Sequence, residues 1–522
     1  MLDNKLEEYA KSDMYPYHMP GHKRRGFAFL NPYTIDITEI TDFDNLHQPQ
    51  GVIREMMDHM KTLYQCDECY LLVNGSTSGN LSSIFAACEE QEEILIARNS
   101  HKSVYNALYL RKLQAFYLEP EILDSGILGE ITVEEVETKL QHHPKAKALV
   151  ITSPTYEGIM SDLSGIVEVA HQRGVAVIVD AAHGAHLGFA KMPESPVASG
   201  ADAVIMSIHK TLPAFTQTAI LCYQDQGYLS KSKLEEYLGI FQTSSPSYIL
   251  LAGISKCITY LEQSQKEFIE YAARLERFYE AVKDLQHIRI IREKHMDPSK
   301  IVISTRSTQI AGSNCDEKMI TPSNDSCKNS WRISLTGEQL FEKLRQEYHL
   351  EMEMASYDYV LAMTSVMDSQ EGLNRLQEAL IKIDEELEQE TRQSQGKLQL
   401  SDAGQNENWN QINGLANWNR LYQPQTKVME IYKAKQQPQE IIDLTDATCR
   451  VAGVMICLYP PGIPVIVPGE EITAENIRQL QEAKEQGLTI TGLEASGLEV
   501  PEREAAGRIE DALELRIKVV KQ

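Results

Sequence analysis

Between Tyr70 and Tyr223 the chain alternates short, unbroken apolar runs with amphipathic stretches. Ile94-Leu95-Ile96-Ala97, Ala148-Leu149-Val150-Ile151, Val175-Ala176-Val177-Ile178-Val179 and Ala203-Val204-Ile205-Met206 are continuous and rich in β-branched residues. Runs that are apolar at every position, not every second one, suit strands buried on both faces of a parallel sheet. The segments between them, such as Val133 to Gln141 and Gly165 to Arg173, carry helical spacing. The pattern predicts an open α/β sheet, in which ligands sit beyond the carboxyl ends of the strands. Chemistry should therefore lie just after each apolar run.

Past Tyr223 the pattern turns helical, over Tyr248 to Gln263 and Glu267 to Asp284. Residues 301–388 read as a smaller α+β unit closing on a helix from Glu371 to Leu387, with a polar insertion over Ser307 to Ser330. Gln389 to Gln425 is rich in Gln and Asn and reads as a linker, although it holds Trp409 and Trp418. The expected organisation is an N-terminal segment 1–69, a large domain 70–300, a small domain 301–388, a linker 389–425 and a C-terminal domain 426–522. No repeat of fixed period is visible.

Composition narrows the function classes. The 522 residues are 42% hydrophobic and 24% charged, the balance of an ordinary globular protein. A net charge of −25 argues against nucleic acid or an anionic membrane as a partner, since both need a basic face. No run approaches the ~20 apolar residues of a membrane span, and Met1 to Lys11 is polar, so a cytoplasmic protein is expected. The nine cysteines are odd in number and thinly spread, which reads as reduced thiols. Cys66 and Cys69 form a C-x-x-C with no second pair close behind. They read as two unrelated thiols, and no metal is expected.

Four features fall at strand exits. Asn74-Gly75-Ser76-Thr77-Ser78-Gly79-Asn80 follows Leu71-Leu72-Val73 and leads into a helix from Leu81 to Cys88. Small hydroxyl residues at a helix start either cradle phosphate or simply cap the helix. His101, in Asn99-Ser100-His101-Lys102-Ser103, could lie against an aromatic ring or shuttle protons. Asp180, in Asp180-Ala181-Ala182-His183-Gly184-Ala185-His186, ends the strongest strand and suits a protonated ring nitrogen, or a helix cap. Lys210, in Ser207-Ile208-His209-Lys210-Thr211, follows an apolar strand, where desolvation favours the neutral, nucleophilic amine. Each signal has a structural alternative. Together, a phosphate loop, a stacking histidine, a ring-nitrogen carboxylate and an aldehyde-capturing lysine are the services pyridoxal phosphate requires.

With these motifs, Met19-Pro20-Gly21-His22-Lys23, Asp44-Asn45-Leu46-His47, Tyr459-Pro460-Pro461-Gly462-Ile463-Pro464 and Pro468-Gly469-Glu470 make the chain resemble the Orn/Lys/Arg decarboxylase family. The resemblance is to the short form without an N-terminal wing domain. It implies an α/β, aspartate-aminotransferase-like (fold-type-I) large domain with a mostly parallel sheet and smaller α+β C-terminal domains. It implies pyridoxal 5'-phosphate bound covalently to Lys210, Asp180 on the pyridine nitrogen, and His101 on the ring face. Ser76, Thr77, Ser78, Ser207 and His209 would bind phosphate or frame the lysine. Ala182 would pack under the ring beside Asp180, and His183 takes a place where the longer enzymes tend to carry an aromatic residue. Thr243-Ser244-Ser245-Pro246 resembles a segment reaching the neighbour's cofactor, implying a homodimer or larger homo-oligomer.

The reaction implied is decarboxylation of a basic amino acid, arginine or lysine before ornithine, to agmatine, cadaverine or putrescine. Asp44, Glu157 and Glu470 are candidate partners for the substrate's distal cation. The competing readings are an aminotransferase, with Arg332 or Arg450 clamping the α-carboxylate, and a non-catalytic homologue, against which Lys210 and Asp180 both speak.

Overall fold

The computed structural model describes residues 1–308, 331–333, 335–398, 425–458, 462–485, 488–495 and 515–521. The apolar runs form seven strands: β1 (Glu68–Leu72), β2 (Glu93–Ala97), β3 (Gln114–Leu118), β4 (Ala146–Thr152), β5 (Ala176–Asp180), β6 (Ala203–Met206) and β7 (Ala219–Tyr223). They make one sheet in the order β1-β7-β6-β5-β4-β2-β3. Pairs β2/β3, β2/β4, β4/β5 and β5/β6 are parallel, while β7 runs antiparallel to both neighbours. The period of two along each strand splits the core cleanly. Leu95, Leu149, Val177, Val204 and Ile220 pack into one apolar cluster, and Ile94, Ala148, Ile178, Ile205 and Leu221 into another on the opposite face. Both faces are covered, which is why the runs carry no polar alternation.

The smaller unit is a four-stranded antiparallel sheet of Met354–Ala355, Tyr359–Met363, Lys300–Ser304 and Arg289–Ile291. Helices Gly337–Tyr348 and Gln370–Leu398 pack on it. The second helix runs well past the expected end at Leu387, because Glu, Gln, Lys and Leu are all good helix formers. Most of the expected insertion 307–330 and linker 389–425 lies outside the described residues, including Trp409 and Trp418. The N-terminal segment joins this unit through a short parallel pairing of Tyr15–Tyr17 with Leu350–Met352. A further core, with Ile456, Val465, Leu480 and Ile517, belongs to the C-terminal stretch.

Cys66 and Cys69 are not unrelated. Cys69 sits opposite Cys222 across the β1/β7 pairing, and the three sulfurs lie within 4.8 Å of one another, all buried. Hydrogen bonds from Cys222 and Cys69 hold the Cys66 thiol down to about 4. The antiparallel register that brings Cys222 in is invisible in a C-x-x-C spacing.

Candidate active site

The helix after β1 begins already at Gly75, not at Leu81, and runs to Ala87. Gly75 has φ +72°, a backbone that disfavours a side chain. Gly75, Ser76 and Thr77 line a cavity of about 330 Å³ with the free N–H groups of the first turn at hand. Ser78 does not line it: its hydroxyl donates to the Gly75 carbonyl at 2.8 Å.

Asp180 ends β5 at the same cavity. Its Oδ2 accepts from Asn80 Nδ2 at 2.8 Å and its Oδ1 from the Ala182 N–H at 3.2 Å. Asn80 also donates to Ser103 Oγ at 3.0 Å, and that hydroxyl lies 2.9 Å from His101 Nδ1. The Ser103 N–H donates to the same ring nitrogen at 3.2 Å, so His101 both caps its helix and accepts at Nδ1. Burial brings the His101 imidazole down to about 4, against the pull of Asp180, and the ring is neutral. Asn80 is thus the residue that couples Asp180 to His101. Nothing in its local sequence sets Asn80 apart, because its partners come from other strand exits.

Lys210 stands on the short helix Ile208–Thr211 after β6. Burial lowers its amine, opposed by Asp180 and Glu353. Its Nζ is 2.9 Å from His183 Nε2, and the Tyr156 ring meets the His183 ring edge-on at 4.8 Å. His209 Nδ1 donates to the Thr218 carbonyl at 2.7 Å, and burial takes that ring to about 4. Ala182, His183, Ser207 and His209 all line the cavity. The Pro-Gly-His-Lys motif braces this lysine turn. The Gly21 N–H donates to the His209 carbonyl at 2.7 Å, and a Cβ at Gly21 would lie 2.7 Å from Leu212 N. Met19 lines the cavity, and the buried Lys23 donates to the carbonyls of His18 and Met363.

Of the candidate cation partners, Glu157 alone lines the cavity. It is buried, accepts from Tyr359 Oη at 2.8 Å, and burial pushes its carboxyl up. Asp44 instead caps the helix Val52–Tyr64, accepting from Gln50, Gly51 and Ile53 N–H groups. Glu470 is buried against Arg98. Both acidic residues hold backbone and cations in place, which is why neither reaches the cavity. A second cavity carboxylate, Glu353, accepts from the Met19 N–H at 2.8 Å and from the Tyr156 hydroxyl. It comes from the smaller unit, and no local motif marked it.

No arginine side chain lines the cavity among the described residues. Arg450 donates to Glu440 and the Val520 carbonyl, and Arg332 lies on a strand paired with Arg306–Thr308. Thr243 sits beside the start of the Gly75–Ala87 helix, its N–H 3.3 Å from Asn74 Oδ1. Tyr459, Pro460 and Pro461 lie outside the described residues, whereas Gly462 and Ile463 line the cavity. Asn99 Oδ1, Thr152 Oγ1 and Ser207 Oγ are buried at the cavity without hydrogen-bond partners. Buried polar atoms left unpaired need a ligand or water. With a desolvated lysine, a carboxylate at a strand end and a helix N-terminus, they fit pyridoxal phosphate.

Residues 2–317 match the Orn/Lys/Arg decarboxylase major domain, and residues 416–509 match the C-terminal domain of the same family. The chain belongs to the Orn/Lys/Arg decarboxylase family. It is 29% identical to an arginine decarboxylase of Bacillus subtilis over 94% of this chain and 95% of that one. A Bacillus anthracis arginine decarboxylase is 28% identical, over 94% of each chain. The fold matches the crystal structure of the Francisella novicida lysine decarboxylase LdcF, with a TM-score of 0.72 and 18% identity, covering 100% of this chain and 81% of that one. Family membership makes this a pyridoxal-phosphate enzyme with the aspartate-aminotransferase-like fold. Among the described residues no helix is long and apolar enough to cross a membrane.

Proposed function

We propose that the protein decarboxylates a basic amino acid, with arginine the substrate its cavity fits best. The observation that carries this reading is the pair of carboxylates, Glu157 and Glu353, in the same cavity as Lys210 and Asp180, with no arginine lining it among the described residues. Carboxylates favour a cationic side chain, and a planar guanidinium offers them more donors than an ammonium. Relatives named arginine decarboxylase over more than nine-tenths of their length support the same choice.

Lys210 would carry the cofactor, Ser76, Thr77, Ser207 and His209 its phosphate, Asp180 its ring nitrogen and His101 its ring face. Bound there, pyridoxal phosphate supplies a ring that accepts the electron pair left at Cα as CO₂ departs. The chain's own work is positional and protonic. Asp180, held by Asn80 and the Ala182 N–H, would hold a proton on the cofactor's ring nitrogen. Neutral His101 presents a flat, uncharged surface. Glu157 and Glu353 anchor the distal cation, which leaves the α-carboxylate to be turned out of the ring plane. Lys210 is the base or acid within reach once its amine is free.

The active unit is a homodimer or larger, a reading supported by the likeness of Thr243 to Pro246 to a segment that reaches a neighbour's cofactor. Supplying arginine, lysine and ornithine in turn and measuring CO₂ tests the reaction. Release of CO₂ with agmatine from arginine supports it. Turnover only with an added keto acid, and no CO₂, refutes it in favour of transamination.

A further inference from the structure

Beneath Lys210 lies a second buried lysine. Lys300 opens the strand Lys300–Ser304 with no exposure at all, and its Nζ is 3.3 Å from His183 Nδ1. His183 Nε2 is in turn 2.9 Å from Lys210 Nζ. The three groups form a line of nitrogens, amine to imidazole to amine. Room for the inner lysine is built in: Gly158 has φ +103°, and a Cβ there would lie 2.7 Å from Lys300 Cγ.

The charges around the line are few. Asp297 and Glu353 favour the Lys300 cation, whereas Lys210 and Lys23 oppose it, and burial brings its amine down to about 8. Asp180 and Glu353 act on Lys210. His183 has Lys210, Lys300, His101 and His209 around it and no carboxylate among its main influences, so burial and the two lysines hold the ring neutral. Asp297 is itself fixed by His186 Nε2 at 3.0 Å, the Ser299 N–H at 2.9 Å and Ser299 Oγ at 2.7 Å.

A neutral imidazole offers one N–H and one lone pair. Both contacts can therefore be hydrogen bonds only when at least one lysine is a neutral amine, and the state that keeps a single proton on the pair makes the other an ammonium. Either Lys300 donates to Nδ1 and the Nε2–H donates to Lys210, or Lys210 donates to Nε2 and the Nδ1–H donates to Lys300.

We propose that Lys300 is a positioning residue for Lys210, storing the one proton the two lysines share and exchanging it through His183. In the forward direction a Lys300 N–H bond breaks as Nδ1–H forms, and Nε2–H breaks as a Lys210 N–H forms. One proton crosses and the ring ends neutral. With the proton on Lys300, Lys210 is a free nucleophile for an aldehyde. With it on Lys210, the amine is recharged as an acid for the product-forming step. The second half rests on the decarboxylase reading and the first does not.

Two variants separate the halves. Cofactor-free protein is mixed with pyridoxal phosphate and the rate of its covalent capture is followed against pH, with no amino acid present. Lys300→Met removes the proton store, so Lys210 keeps the proton. The capture profile should move up by about one pH unit, roughly a tenfold loss near neutrality. Lys300→Arg leaves a cation that cannot give up its proton, so capture near neutrality should stay within about twofold of wild type. Turnover of the loaded Arg variant, by contrast, should fall at least about tenfold, because Lys210 is no longer recharged. A Lys300→Met profile that overlays the wild type, or a Lys300→Arg enzyme with wild-type turnover, overturns the proposal. The unaltered, cofactor-free protein gives an independent check. Nitrogen NMR of His183 near neutrality should show one protonated and one bare ring nitrogen, and an imidazolium there refutes the shared proton. Capture profiles shifted as expected in the two variants, with no CO₂ release from the unaltered enzyme, would count against the decarboxylase reading alone.

Discussion

Removing the Glu470 carboxylate should loosen the C-terminal stretch from the large sheet and open the cavity with it. Arg98 follows β2 directly and is fully buried, as is Glu470. The guanidinium donates to the carbonyls of Pro464 at 2.6 Å and Val465 at 3.1 Å, to Tyr105 Oη at 3.0 Å, and to Glu470 Oε2 at 3.3 Å. Only the last partner carries a compensating charge, and the same Oε2 accepts from the Val467 N–H at 2.9 Å. Glu470→Ala strands a buried cation, a loss of about 3–5 kcal/mol. Glu470→Gln keeps an acceptor and should cost less, about 1.5–3 kcal/mol. Replacing both partners, Arg98→Met with Glu470→Leu, removes the stranded charge and should recover most of the loss. Local opening is the quantity to measure, since a chain with several cores does not unfold in one step. Amide exchange of Ile463 to Val467 reads it: opening should become at least about a hundredfold easier in Glu470→Ala. Gly462 and Ile463 line the cavity, so the affinity for pyridoxal phosphate should fall in parallel. An exchange rate within about fivefold of wild type, less than 1 kcal/mol, would show that the pair does not hold this edge.

Asp180→Asn should still take up cofactor but lose about two to three decades of turnover, because a neutral amide cannot keep the facing nitrogen charged; near-normal turnover would show another group does so. Gly21→Val should push the lysine turn away, since even a Cβ meets backbone at 2.7 Å, and slow cofactor capture measured by absorbance. Glu353→Gln should raise KM for a basic amino acid more than it lowers kcat, as steady-state kinetics will show if the carboxylate binds the distal cation. For Glu157 the sign follows from burial, which raises its carboxyl in the folded protein. The folded state then holds its proton more tightly than the unfolded one, so stability is lost as pH rises through the folded value. Cofactor-free Glu157→Gln should melt higher than wild type near pH 8 and alongside it near pH 4, by calorimetry.

The strand exits were legible because each apolar run marks a buried parallel strand and the chain places chemistry where such strands stop. Asp180, His101 and Lys210 could be found that way, each from its own few residues. Asn80, Glu353 and Lys300 could not. Asn80 earns its place from partners 23 and 100 positions away. Lys300 opens a strand of the smaller unit and Glu353 sits in the bend between Leu350–Met352 and Met354–Ala355, where nothing local separates a cavity-facing residue from a solvated one. Asp44 and Glu470 show the reverse error, acidic residues in telling motifs whose charge is spent on a helix start and a buried guanidinium. The Cys222 contact needed the antiparallel β1/β7 register, which short spacings do not encode.

The cavity draws Met19, Ser76, His101, Asp180, Lys210, Glu353 and Ile463 from almost the whole length of the chain. During synthesis, the central sheet can collapse once β7 has left the ribosome, but the lysine it presents then stands in a half-built pocket. Glu353 is still to come, and Gly462 and Ile463 arrive more than a hundred residues later. A nascent chain stalled before residue 462 would therefore present a folded sheet with an open, wet site. Maturation of such a chain closes this wall as the C-terminal core forms, and the aldehyde partner gains its full shelter only at that moment.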